Sequence, residues 1–499
     1  MKFNIPKEVS VIAEKLAKNN FSAYLVGGCL RDLLINRTPS DWDIATDARP
    51  EEIQKVFSDS VYENKFGTVG IKTDSDDEIL KVVEVTTFRK ESSYSDARHP
   101  DKVEFAKTIE EDLSRRDFTI NAIAFNLSNE LNGVMTHHNT VKGLILVDPY
   151  NGLKDLKDKI IRAVGNAEER FSEDALRLMR AVRFATQFSF SIESQTQFAI
   201  NNNSDLLEKI AKERIRDEFA KLIMAENARA GVELLEVSGL LKHIIPELRD
   251  GIGVGQNKHH IYTVFEHNVK SLEYSAKKGY SLEVRIASLL HDVGKPKSKR
   301  GEGPDCTFYG HQVVGERMAK KILERLKFSR EIVDKVSLLV REHMFVYDPE
   351  VVTPAGVRRL IKRVGEENVG DLIKVREADR IGSGVPKAQP YRLRALQAMI
   401  EKVKSDPISP KMLKINGNDL IKEIKIEAGP RLGQIITILL EEVLAEPKEN
   451  TKTKLLEKAA ELNKLSDKEL NKLSAGAKKS AEEAQNRIDE EIKTKYFIK

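Results

Sequence analysis

The sequence predicts an α+β protein, with a mixed-sheet head over residues 1–150 followed by a long all-helical body. Three observations carry that reading. Short β-branched runs bounded by Gly or Pro, "YLVGG", "VGIKT", "KVVEVTTF" and "LILVDP", all fall within the first 150 residues. From about residue 160 apolar residues recur at helical spacing, as in "FSEDALRLMRAVRFATQF", with Ser172 placed as its N-cap. At 499 residues the chain is too long for one ordinary domain.

Two Gly/Pro-rich stretches, "IPELRDGIGVGQNKHH" and "RIGSGVPKAQP", divide the helical part. The expected divisions are a head at 1–150, a helical neck at 151–257, an inserted module at 258–390, a tail at 391–450 and a charged extension at 451–499. The extension carries twelve Lys/Arg against nine Asp/Glu and few large apolar residues, and reads as a solvated helix or a loosely ordered tail.

Charged residues make up 32% of the chain, and no apolar run approaches the ~20 residues needed to span a bilayer. The first twenty residues lack the unbroken apolar core of a secretion signal. Cys29 and Cys306 are the only cysteines, which excludes a disulfide framework and points to a reducing cytoplasm. A net charge of +4 is too mild to argue for a nucleic-acid partner.

The densest chemistry lies in "YLVGGCLRDLLINRTPSDWDIAT", Tyr24 to Thr46. Asp41 and Asp43 alternate along an extended segment, so their carboxylates share a face and repel unless a cation separates them. Alone, Asp-x-Asp reads as a polar loop with an Asx-turn; further features shift the reading. Glu84, in "KVVEVTTFR", adds a third carboxylate in mid-strand between valines, where an unpaired charge is costly. Such an oxygen set suits magnesium in two-metal phosphoryl or nucleotidyl transfer. Gly27-Gly28 leads from a strand into the predicted helix "CLRDLLI", where backbone N–H groups can hold phosphate, and Arg31 is one turn further on.

"LVGGCLRD", "DWDIAT", "EVTTFR", "DARHP", "RRDFTINAIA" and "EDALRLMRAVRF" occur in that order. Together they resemble the class II tRNA nucleotidyltransferases, the CCA-adding enzymes and their bacterial poly(A) polymerase relatives, over about residues 20–250. The resemblance implies a polymerase-β-like head that extends a tRNA 3′ end with CTP and ATP. It implies magnesium on Asp41 and Asp43, with Glu84 near the metals. It also implies nucleotide contacts from Gly28 and Arg31, ribose reading by Arg116 and Asp117, and a flexible loop carrying Asp96 and Arg98. In isolation, Asp117 reads as a helix N-cap beside solvated arginines, and Asp96 with Arg98 as an exposed pair.

Within "EDALRLMRAVRF", Asp174 and Arg177 are three residues apart on one predicted helix, hence neighbours. The plain alternative is a surface salt bridge worth less than ~1 kcal/mol. A carboxylate accepts from the exocyclic amine of cytosine or adenine and repels the carbonyl oxygen of uracil or guanine. The resemblance implies that this pair acts as an amino-acid template for C and A. Arg180 stays near Arg177 on the helix, whereas Arg183 swings round and serves phosphate or RNA.

A second constellation runs through "VFEHNVK", "ASLLHDVGKPKS", "FYGHQVVGE", "VREHMF" and "READRIG". His267, His291, Asp292, His311, His343 and Asp379 are in the order of the HD superfamily of metal-dependent phosphohydrolases, which it resembles. The resemblance implies a divalent metal such as nickel, manganese or cobalt on His267, His291, Asp292 and Asp379. A module kept for packing or tRNA contact is the alternative. Further on, "GPRLGQII" reads as a helix start that glycines could bring close to a phosphate backbone.

The expectation is therefore template-independent addition of CCA to tRNA by a cytoplasmic monomer or homodimer. Poly(A) addition, A-only addition and phosphohydrolysis as the main activity are the enzymatic rivals. A catalytically silent RNA-binding protein is the non-enzymatic one, and the complete Asp41, Asp43 and Glu84 set argues against it.

Overall fold

The structure, a computed structural model, describes residues 4–62, 67–92, 102–127, 146–257, 261–404 and 413–498. The chain divides into two compact units. The first comprises 1–343 with 371–386, the second 344–370 with 387–499. This division does not follow the sequence breaks, because residues 371–386 return to the first unit.

Among the described residues, nine strands build the head. They are β1 (Tyr24–Val26), β2 (Asp43–Thr46), β3 (Ser60–Tyr62), β4 (Thr68–Lys72), β5 (Val82–Thr87), β6 (Arg89–Ser92), β7 (Lys102–Phe105), β8 (Ala124–Asn126) and β9 (Leu146–Val147). Seven form one mixed sheet in the order β3-β4-β5-β2-β1-β8-β9, while β6 and β7 pair separately as a ribbon. The one parallel pairing in the larger sheet, β2 with β5, places Asp43 opposite Glu84.

Strand alternation sets which side chains reach the core. In β5, Val83 and Val85 are buried while Val82 and Glu84 are exposed. Glu84 is therefore not in the apolar environment that its flanking valines suggested. It stands on the solvent face that it shares with Asp43. The helix Gly27–Leu34 starts directly after β1, so both glycines lie inside its first turn and not in a loop before it.

The stretch 167–188 is two helices, Ala167–Glu173 and Leu176–Phe188, and not one. Asn166 caps the first, so Ser172 lies within a helix and not at its start. Asp174 takes an extended backbone at the break, and its carboxylate accepts the N–H of Leu176.

Farther along, a Thr263/Glu266 capping box starts the helix Val264–Lys277. His291 and His343 stand at the C-terminal ends of the helices Leu282–Leu290 and Arg330–Glu342, and His311 opens His311–Arg325. In the second unit, Gly429 precedes a helix Pro430–Ala445 with proline at its first turn. Of the two alternatives for the charged extension, solvated helix or loose tail, the structure shows helix, over Lys452–Leu462 and Asp467–Tyr496. Leu455, Ala459, Leu462, Leu470 and Ala477 bury into the same core as Ile435 and Leu439. A few apolar residues at helical spacing suffice to pack it.

Candidate active site and metal cluster

Asp41 is exposed and Asp43 half-buried, one on each side of Trp42, which points into the core. Burial, then Asp41, then Glu84 push the Asp43 carboxyl up to about 7, and Arg116 works the other way. Like charges at this spacing are costly, and a divalent cation would relieve them. The donors are carboxylate oxygens, which fit magnesium. They do not close as tightly as a preformed cage. Among the described residues, three donor atoms all within 4.8 Å of one another occur only at the His–Asp cluster.

The glycine turn is tight against these groups. Gly27 has φ +72°, and a Cβ there would lie 2.9 Å from Nη1 of Arg116 and 3.4 Å from Oδ2 of Asp43. A Cβ on Gly28 would project toward Arg31 and Asp41, into space open to a phosphate.

A cavity of about 780 Å³ joins the acid pair to a cationic and aromatic wall. Its lining includes Gly27, Gly28, Arg31, Asp41, Asp43, Arg116 and Asp117 together with Arg180, Arg183, Phe184, Phe188 and Lys221. Arg31 donates from Nη1 to Asn121 Oδ1 at 2.8 Å and pairs with Asp32. Asp117 accepts from Arg180 Nε at 2.7 Å and from Asn121 Nδ2 at 3.0 Å. Burial opposes ionisation of Asp117, but Arg180, Asn121 and Arg177 outweigh it and hold the carboxyl well below the usual range. Arg183 pairs with the buried Glu218 at 2.7 Å, and burial pulls its guanidinium down to about 10.

Phe184 and Phe188 stack with ring centroids 5.7 Å apart. The Arg31 guanidinium lies 4.7 Å from the Phe188 centroid and that of Arg183 4.0 Å from the Phe184 centroid. Asn121, Phe184, Phe188 and Glu218 were not singled out in the sequence. The two phenylalanines at i, i+4 on an arginine-rich helix were the available signal.

Asp174 and Arg177 are outside this cavity and do not pair with each other. Arg214 holds Asp174 with two nitrogens, at 2.9 and 3.3 Å. Arg177 pairs with Glu173 at 2.6 Å and donates to the carbonyls of Arg170 and Arg115. Contrary to the helical-wheel expectation, Arg180 and Arg183 both reach the cavity and Arg177 does not. Asp96 and Arg98 lie outside the described residues.

The second constellation converges. His267, His291, Asp292, His311, His343 and Asp379 are all buried. His267 and His291 approach to 2.8 Å through their Nε2 atoms, and Asp379 Oδ1 lies 3.3 Å from His267 Nε2. Burial disfavours a charged imidazole at His291, but Asp292 and Asp379 outweigh it and raise its pKa to about 10. A bound proton there supplies the positive charge that the acidic pair demands. Lys295, four residues after His291, adds its ammonium 2.7 Å from Asp292 Oδ2.

These features define a nucleotidyltransferase. Residues 23–162 match the poly A polymerase head domain, 189–252 the probable RNA and SrmB-binding site of polymerase A, and 310–459 a putative tRNA nucleotidyltransferase domain 2. The CCA-adding enzyme of Lactobacillus delbrueckii subsp. bulgaricus is 34% identical over 448 residues, covering 89% of this chain and 95% of the relative. That of Ligilactobacillus salivarius is 36% identical over 467 residues, 92% and 98% of the two chains. The Bacillus stearothermophilus CCA-adding enzyme, solved in complex with CTP, superimposes with a TM-score of 0.57 at 28% identity, over 92% of this chain and 97% of that one. The chain belongs to the CCA-adding enzyme family.

Proposed function

We propose that the chain adds CCA to the 3′ end of tRNA from CTP and ATP. The observation that supports this most directly is the single polar cavity joining the Asp41/Asp43 pair to Arg31, Asp117, Arg180 and Arg183. It is large enough for a nucleotide and is lined with cations suited to a triphosphate.

Asp41 and Asp43 would hold magnesium, with Glu84 close by on the adjacent strand. When bound, magnesium neutralises the triphosphate and lowers the pKa of the attacking 3′-hydroxyl. The chain's own groups do the rest. The first turn of the helix Gly27–Leu34 presents backbone N–H groups and, through Gly28, leaves room for phosphate. Arg31 and Arg116 hold phosphate oxygens. Asp117, fixed by Arg180 and Asn121, accepts from sugar hydroxyls. Asp174 and Arg177 select the base, which requires Asp174 to exchange Arg214 for the nucleobase. RNA is held through its phosphates without sequence reading.

No helix among the described residues is long and apolar enough to cross a membrane, and we place the reaction in the cytoplasm. The test is incubation with tRNA lacking its 3′ end, with each NTP alone and then with CTP plus ATP. Extension by CTP alone to two nucleotides, and by both to three, supports the reading. Long A-tracts from ATP alone would make it a poly(A) polymerase, and extension only of acceptors already ending in CC an A-adding enzyme.

The convergence of the His–Asp cluster favours a second reading for the helical module. His267, His291, Asp292 and Asp379 would hold a manganese, cobalt or nickel ion for phosphoester hydrolysis. Protein loaded with these metals and inert toward 2′,3′-cyclic nucleotides and simple phosphoesters would leave the module a structural role.

A further inference from the structure

Phe188 has no part in the reaction as derived above, yet two guanidiniums lie against its ring. It is the last residue of the helix Leu176–Phe188 and stands half-buried in the cavity wall. Arg31 lies 4.7 Å from its centroid and Arg37 5.1 Å. Arg31 belongs to the helix that starts at the glycine turn, and Arg37 to the loop that reaches Asp41 four residues later. We propose that Phe188 is a positioning residue for nucleotide addition. Its ring holds Arg31 where the triphosphate lies and ties the Arg37 loop to the helix of Arg180 and Arg183. The proposal rests on the reading of Arg31 as a phosphate contact.

The ring does not act alone. Phe184 stacks beside it at 5.7 Å and 9°, and Arg31 is also 5.1 Å from the Phe184 centroid. Arg180 and Arg183 approach Phe184 at 5.2 and 4.0 Å. Two near-parallel rings thus carry four guanidiniums, two from the head and two from the helix that bears the rings. A ring face is partially negative, so it attracts a guanidinium without neutralising it. A carboxylate in the same place would also hold the arginine, but it would cancel the charge and repel an incoming phosphate.

Like charge makes such holding necessary. Burial, and after it Arg180 and Arg31, weaken the charge on Arg183, against the pull of Glu218. Three of the four arginines also have a carboxylate partner: Arg31 has Asp32, Arg180 has Asp117 and Arg183 has Glu218. Arg37 is held by the Phe188 ring and by the Gln187 carbonyl, to which its Nη2 donates at 3.2 Å. Its backbone N–H donates to the Asp32 carbonyl at 2.8 Å, which fixes the start of the loop. An Arg31 already in place needs no reordering when the nucleotide arrives, and binding is tighter for it. A contact of this kind acts alike on bound substrate and transition state, so its loss shows in KM and not in kcat.

The experiment is CMP addition by the full chain to tRNA lacking its 3′ end, with CTP varied. Phe188→Leu keeps apolar bulk and removes the ring face. KM for CTP should rise about tenfold, the scale of a guanidinium–ring contact, with kcat within about twofold. Phe188→Tyr keeps the ring face and should restore the wild-type KM. On an acceptor ending in CC, KM for ATP should rise by the same factor, because Arg31 meets phosphate and not base. In an Arg31→Ala background, Phe188→Leu should add little further. A raised KM in Arg31→Ala with an unchanged one in Phe188→Leu, or equal KM in the Leu and Tyr variants, would overturn the proposal alone. An unchanged KM in Arg31→Ala would overturn the phosphate reading beneath it and the proposal with it. Should Phe188→Leu fail to fold, fluorinated phenylalanines at position 188 still decide. They keep the shape and drain charge from the ring face, so KM should climb with each added fluorine, and a flat series refutes the contact.

Discussion

Arg180 grips Asp117 with two nitrogens, Nε at 2.7 Å and Nη2 at 2.6 Å, both on the same carboxylate oxygen. The other oxygen accepts from the Phe118 N–H and the Asn121 amide. Asp117 is buried, so Arg180→Ala leaves an uncompensated charge and should cost about 3 kcal/mol by urea unfolding at pH 7. The pH dependence has a definite sign. The folded pKa of Asp117 is depressed, so its contribution is present above the unfolded value of about 4 and fades as pH falls below it. The gap between wild type and Arg180→Ala should therefore narrow from pH 6 to pH 3. A gap that widens in acid would contradict the pairing.

Asp43 is crowded by Asp41 and, across the parallel β2–β5 pairing, by Glu84. Asp43→Asn removes one of three repelling charges, so the apoprotein should be as stable as wild type or more so. Nucleotide addition should nevertheless fall by on the order of 10²–10³, the range for losing a group that stabilises developing charge. Melting curves without magnesium and single-turnover CMP incorporation measure the two effects. A destabilised variant with intact chemistry would show that Asp43 has a packing role.

Gly27 is constrained twice, by its left-handed backbone and by Arg116 2.9 Å from where a Cβ would stand. Gly27→Ala should cost about 1–2 kcal/mol in backbone strain. The Arg116 guanidinium must also shift, so KM for CTP should rise more than stability alone explains. Gly28→Ala, at ordinary contact distance from Arg31 and Asp41, should leave stability near wild type and raise KM by filling the phosphate space. Equal effects of the two variants on stability would refute this distinction.

Arg285 is buried and makes no use of its charge for catalysis. Its nitrogens donate to the carbonyls of Tyr280, Ile223, Ala225 and Ala276. Two of these close the C-terminal end of the helix Lys212–Ile223 beside the cavity residue Ala225. Arg285→Leu strands four buried acceptors and should cost about 3 kcal/mol or more in the unfolding free energy. Lysine presents one ammonium in place of the fork and should recover only part of it.

The acid pair and the glycine turn were legible because their chemistry is local, set by two residues' spacing where the chain enters β2. Glu84 was misjudged because valine neighbours were taken as its environment, whereas in a strand they point to the opposite face. The break at Asp174 was invisible to periodicity. Phe171, Ala175, Leu178 and Val182 are all buried, so the apolar pattern runs straight through it. Only Arg214, forty residues on, reveals what holds the break. The His–Asp cluster was readable in order but not in pairing, since which oxygen of Asp292 meets which histidine depends on four separate helices.

The partner exchange at Asp174 makes the last prediction sharp. In the structure its carboxylate is bound by Arg214, so Asp174→Ala has a structural cost whatever its role: a partly buried arginine loses its pair. A purely structural Asp174 would lower stability and leave the ratio of kcat/KM for CTP over UTP unchanged. Arg214→Ala would then reproduce its effects. A templating carboxylate gives a different pattern. Removing it deletes an acceptor for the exocyclic amine and the repulsion against O4 of uracil, so the CTP/UTP ratio should fall about ten- to a hundredfold, or roughly 1–3 kcal/mol. Arg214→Ala frees the same carboxylate and should preserve the ratio while lowering stability. Both variants assayed on one tRNA acceptor separate the readings. If Asp174→Ala keeps the wild-type ratio, base selection must come from other residues, and Arg180 and Arg183, which line the cavity, are the next to substitute.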